Sequence, residues 1–191
     1  AGQIYMIATV EGFGVKYTGD MLASRSGVTI DAKGNIVYNN IASQSGGISV
    51  KTTNGNVTGS GITHNKDINS DIAIEASGNI NNQGQLLSAR DINVTADILN
   101  NSKEIIANND ITITGSGITN SNSIIAGNKL NITATDFLTN NNDILSLVSG
   151  ASYDSLIINA RTLNNNKRIA ANSILTINAN YLNNNTANSL I

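Results

Sequence analysis

Residues 162–185 read "TLNNNKRIAANSILTINANYLNNN". Leu163-Asn164-Asn165-Asn166 returns nineteen residues later as Leu182-Asn183-Asn184-Asn185. Between the two copies lies Leu175-Thr176-Ile177-Asn178-Ala179, an apolar–polar alternation of period two, as in a half-buried β-strand. An asparagine run at a fixed offset from such a strand is a part of a repeat rather than filler.

The repeat extends upstream from this pair. The second Asn of each copy forms the column Asn82, Asn101, Asn120, Asn140, Asn165, Asn184, with spacings of 19, 19, 20, 25 and 19. Two residues earlier stands an apolar column of Ile80, Leu99, Ile118, Leu138, Leu163 and Leu182. After the Asn come the pairs Leu86-Leu87, Ile105-Ile106, Ile124-Ile125, Ile144-Leu145 and Ile169-Ala170. Further on stand Ile92, Ile111, Leu130 and Leu175, then Val94, Ile113, Ile132 and Ile177, then the small residues Ala96, Gly115, Ala134 and Ala179. The consensus L-N-N-x-x-x-I-I-A-x-x-x-I-x-I-x-A holds two or three strands of 3–5 residues and no helical period.

A unit of 19–20 residues cannot bury its apolar face alone. Stacking identical units sets each column above itself at the strand spacing of about 4.8 Å. The expected fold is therefore all-β: a single-stranded parallel β-helix of roughly nine coils, on the order of 45 Å long. An antiparallel sandwich is the competitor, but it does not predict same-residue columns in constant register. Upstream, Ile30, Val50 and Ile74 align at spacings of 20 and 24, which places an insertion near 60–70. A second insertion falls at 146–155, and repeats occupy 25–191. Residues 1–24 fit the repeat poorly and read as an irregular β segment, a junction with a preceding domain.

Composition agrees with this architecture. The 191 residues include 33 Asn and 17 Gly, 4% aromatics, and neither Pro nor Cys. Such usage suits β-branched strands joined by tight turns, with Asn and Gly accepting positive φ. A net charge of −2 gives no nucleic-acid footprint. No apolar run approaches the roughly 20 residues of a transmembrane helix. The N-terminus has no initiating Met and no signal-like region, so the chain is expected to be an internal piece of a longer protein.

The repeat resembles L-x-N-x-G-x-I-x-A-x-x-x-L-x-I-x-A of filamentous-haemagglutinin-like exoproteins, the secreted partners of bacterial two-partner secretion systems. The best copies are "NINNQGQLLSARDINVTA" (79–96) and "TLNNNKRIAANSILTINA" (162–179). Residues 4–36 are similar to the stretch that follows the family's secretion domain. The family's glycine survives at Gln83-Gly84 but is replaced at Ser102-Lys103, Asn141-Asn142 and Asn166-Lys167, where Asn or its neighbours are expected to take the left-handed conformation. The resemblance implies a right-handed parallel β-helix, exported by an outer-membrane two-partner secretion transporter and displayed at the bacterial cell surface. It also implies contact with a receptor or glycan of a host or neighbouring cell, as an adhesin or a contact-dependent growth-inhibition effector.

Candidate sites are few. Asp71, Asp91 and Asp110 recur once per coil, with Lys129 next in the column. They are either a divalent-cation column or turn residues accepting backbone N–H bonds, with no Arg or His recurring beside them. His64, the one histidine, reads as a solvated residue of the 60–70 insertion. Leu147, Val148 and Tyr153 give the 146–155 insertion an apolar tip suited to binding. The six-member Asn column reads as a structural ladder of hydrogen-bonded amides. Neither a catalytic set nor a cofactor is expected. Three functions follow in order: a rigid stalk, a glycan- or receptor-binding adhesin module, and a β-helical polysaccharide-degrading enzyme.

Overall fold

The computed structural model describes residues 2–147, 155–185 and 190–191. The described residues are all-β and form no helix: their 20 strands, paired in parallel, wind into a β-solenoid of about nine turns. None of the described residues therefore forms a helix long and apolar enough to cross a membrane.

Each turn contributes to three stacks of strands. One runs from Ile4–Ala8 through Val28–Ala32, Ile48–Thr52, Ile72–Ala76 and Ile92–Thr95 into the long strands that begin at Ile111, Lys129, Ser155 and Ile174. The second holds Val57–Gly59, Ile80–Asn82 and Ile98–Asn101, and continues into the later halves of those long strands. The third stacks Thr63–Asn65, Leu86–Ser88, Ile105–Ala107, Ile124–Ala126, Ile144–Ser146 and Ile169–Ala171. Long strands such as Ile111–Asn120 bend from the first stack into the second at a register shift between Gly115 and Gly117.

The pleat sends alternate side chains inward, so the core is a set of aliphatic ladders. Ile48, Ile72, Ile92, Ile111 and Leu130 lie one above another, each at most 1% exposed, and Val50, Ile74, Val94, Ile113 and Ile132 form the adjacent ladder. Burying each such side chain contributes roughly 1.5–3 kcal/mol. Because Ile113 packs between the aliphatic rungs Val94 and Ile132, its truncation to Ala leaves a cavity that its neighbours cannot fill.

Three local features differ from the sequence expectation. Residues 4–23 pair in register with 28–43, with one shift between Tyr17 and Asp20, so they form a coil of the same solenoid. His64 lies in the strand Thr63–Asn65, half-buried, and the extra residues of that coil come after it, at 66–71. Among the described residues only Gly12 and Gly46 have positive φ, and no non-glycine residue does. The described corners after Leu-Asn-Asn are thus turned without a left-handed residue. Asparagine is there for its side chain, not for its tolerance of positive φ.

Candidate functional site

From Asn82 onward the second stack ends each coil in an asparagine of one shared column. Asn82 Nδ2 donates to Asn101 Oδ1 at 2.7 Å, and the same bond follows at 2.9 Å from Asn101 to Asn120, Asn120 to Asn140, Asn140 to Asn165 and Asn165 to Asn184. Asn82 through Asn165 are at most 2% exposed, while Asn184 is exposed. A primary amide carries both donor and acceptor, so one residue type repeated at the coil pitch satisfies itself. Each buried bond stabilises by about 0.5–1.5 kcal/mol, and an orphaned partner costs about 1–3 kcal/mol.

Upstream the same column reads Tyr17, Tyr38, Gly59, then Asn82. Tyr38 is the bulkiest fully buried side chain, at 1% exposure. Gly59 makes room for it, since a Cβ there would lie 2.6 Å from the phenol oxygen. Thr63 replaces the aliphatic residue of its own column and donates its hydroxyl to Tyr38 Oη at 3.3 Å. Burial pushes the phenol up to about 12, against the smaller opposite effect of the Thr63 hydrogen bond. Sequence columns do not reveal this trio, because Tyr, Gly and Thr each break the pattern of their column.

The aspartates precede consecutive strands of the first stack. Asp91 Oδ1 accepts the backbone N–H of Asp110 at 3.0 Å and Asn109 Nδ2 at 2.6 Å. Asp110 Oδ1 accepts the backbone N–H of Lys129 at 3.1 Å and Asn128 Nδ2 at 2.8 Å. Arg90 lies beside the column after all: its Nε is 3.4 Å from both Asp71 Oδ1 and Asp91 Oδ2. Its guanidinium recurs in no other coil, so no periodicity announced it. Asp71 Oδ1 makes no hydrogen bond. Burial, and then the Asp91 charge, hold the Asp71 carboxyl above its ordinary range despite Arg90.

Among the described residues no three His, Asp or Glu side chains converge as a metal-binding group. Two carboxylates spanned by a guanidinium, with Asp91 also held by a backbone and an amide donor, make an electrostatic clasp between coils. Asp67 has a comparable local task. It accepts Ser70 Oγ and the backbone N–H groups of Asn69 and of Gly46, the last at 2.6 Å, and these bonds lower its carboxyl to about 2. His64 is held below its usual range by burial and by nearby Lys66. Of the insertion's candidates, Leu147 is 43% exposed, whereas Val148 and Tyr153 lie outside the described residues.

No family model, curated protein or solved structure matches the chain.

Proposed function

We propose that this chain is a structural segment of a secreted, surface-displayed exoprotein of the filamentous-haemagglutinin type, acting as a rigid stalk for adhesion or toxin delivery. One observation carries the reading: inward columns run in parallel register from Ile4 to Asn184, with polar corners self-satisfied rather than aimed at a ligand. Such a stack resists bending, because tilting one coil breaks aliphatic packing and amide bonds together. The repeat supports the family, an outer-membrane two-partner secretion transporter as export partner, and a location at the cell surface.

The adhesin-module reading keeps one favouring observation, the exposed Leu147 at the edge of the 146–155 insertion. Binding of the purified chain to intact cells and to a panel of immobilised glycans separates the two. A stalk gives no saturable binding to either. Saturable binding that disappears on deletion of residues 147–152, with circular dichroism and melting unchanged, replaces the stalk by the adhesin module.

A further inference from the structure

The third stack breaks the inward–outward alternation. Its strands read Leu86-Leu87-Ser88, Ile105-Ile106-Ala107 and Ile124-Ile125-Ala126, and the middle residue of each points outward. The pairings set these in one line, Leu22, Ala42, His64, Leu87, Ile106 and Ile125, one residue per coil and none of them an Asp, Glu, Lys or Arg. Leu22 is 51% exposed, Leu87, Ile106 and Ile125 are half-buried, and Leu145, next in line, is buried at 4%. The corresponding outward line of the first stack is instead Asn93, Thr112 and Asn131. An aliphatic stripe on one face alone is the mark of a contact surface.

The stripe is not flat. His64 separates two hollows of about 370 and 410 Å³, one bordered by Leu22, Ala42 and Ile62, the other by Leu87, Ala89 and Ile106. We propose that this stripe pairs two copies of the chain side by side with opposite polarity, about a two-fold axis between the His64 and Leu87 rungs. One feature of the stripe selects a second copy. A partner with the same rung spacing, about 4.8 Å, stays in step along the whole stripe, and this chain supplies that spacing. About that axis Ala42 faces Ile106, His64 faces Leu87, and Leu22 faces Ile125.

The size of the contact fixes its strength. Five steps of about 4.8 Å by a strand about 10 Å wide, with flanking side chains, bury roughly 300–400 Å² per copy, about half of a standard interface. The pairing is therefore weak, with a dissociation constant on the order of 0.1–1 mM, and is populated where rods are crowded.

Sedimentation equilibrium of the purified chain up to millimolar concentration tests this. The weight-average mass is expected to rise from 19.9 kDa towards twice that value, and to stay at the monomer for Ile106→Lys. Ile106→Thr, which keeps the β-branch, guards against a folding defect and weakens pairing at least threefold. A wild-type chain monomeric throughout, association unchanged by Ile106→Lys, or growth past the dimer overturns the proposal. The chain has no cysteine, so single-cysteine variants report the register. A mixture of Leu22→Cys and Ile125→Cys is expected to cross-link at least fivefold faster than Ile125→Cys alone, and the reverse order overturns the opposite-polarity arrangement.

Discussion

The asparagine column and the aspartate column are built alike, one polar residue per coil stacked on its own kind, yet they solve the stacking in opposite ways. From Asn82 to Asn165 each amide donates to the next, from Asn101 onward each accepts from the last, and the line lies inside the rod until the exposed Asn184. The carboxylates of Asp71, Asp91 and Asp110 offer acceptors only, so each needs a donor from elsewhere. They stay at the surface, with backbone N–H groups, Asn109, Asn128 and Arg90 between them. A single oxygen-for-nitrogen difference thus decides whether a solenoid column is buried or must face water. Where a donor is missing the penalty shows: Asp71 keeps an unbonded oxygen and a raised carboxyl.

The most severe way to break the comparison is to move a carboxylate into the amide line. In Asn120→Asp the residue still accepts from Asn101 Nδ2 but has nothing to donate to Asn140 Oδ1, now 2.9 Å from the Asn120 amide nitrogen. A buried charge would then face a carbonyl oxygen, and the loss of stability at neutral pH is expected to be about 3–5 kcal/mol by urea unfolding. Protonation supplies the missing donor. The folded-state carboxyl is therefore raised above its unfolded value, and the variant recovers stability as pH falls through that raised value. A loss under about 1 kcal/mol, or one independent of pH, would show that the amide line tolerates charge and that the two columns do not differ as described.

Tyr38 caps the same column at its upstream end and gives the next largest effect. Its phenol, with an ordinary value of 10.0, is pushed to about 12 in the folded chain by burial. The unfolded chain releases this proton first, so the stability from keeping Tyr38 neutral is complete below pH 10 and is lost as pH rises towards 12. Up to roughly 1.4 kcal/mol disappears per pH unit in that window, on the order of 2–3 kcal/mol in all. Tyr38→Phe removes this slope while giving up the Thr63 bond. Alkaline melting curves of the two proteins should converge as pH rises, and parallel curves would show that Tyr38 ionises without opening the coil.

What the sequence could reveal followed from repetition. Asn82 through Asn184, the aliphatic columns and the aspartates were legible because the same side chain recurs in the same register. Tyr38, Gly59 and Thr63 form one packing unit across two coils, but each looks like a fault in its own column. Arg90 was hidden because a guanidinium spans two coils and need occur only once. Residues 4–23 read as irregular by spacing alone, because one register shift after Tyr17 obscures their match to the next coil. The expected left-handed asparagines failed for a different reason. Composition cannot tell a residue kept for backbone freedom from one kept for its amide, and among the described residues no non-glycine residue has positive φ.

The mildest substitution sharpens the comparison from the aspartate side. Asp91→Asn keeps an oxygen to accept the Asp110 N–H and removes a charge 3.4 Å from Arg90 Nε. Because the pair is partly solvated, stability is expected to change by less than about 1 kcal/mol. The informative readout is Asp71. Burial is the first cause of its raised carboxyl and the Asp91 charge the second, so the substitution should lower Asp71 towards, but not to, the ordinary carboxylate range. A raised folded-state carboxyl opposes folding where it is ionised and ceases to do so as pH falls through its folded value. The variant should accordingly lose part of the gain that the wild-type chain makes on acidification. A carbon-detected titration of the Asp71 carboxyl, wild type against Asp91→Asn, measures the shift directly. If Asp71 does not move, its neighbour's charge is fully screened, and the aspartates are independent turn residues that happen to share a column. If it moves, the column is a coupled electrostatic line, the surface counterpart of the amide line inside.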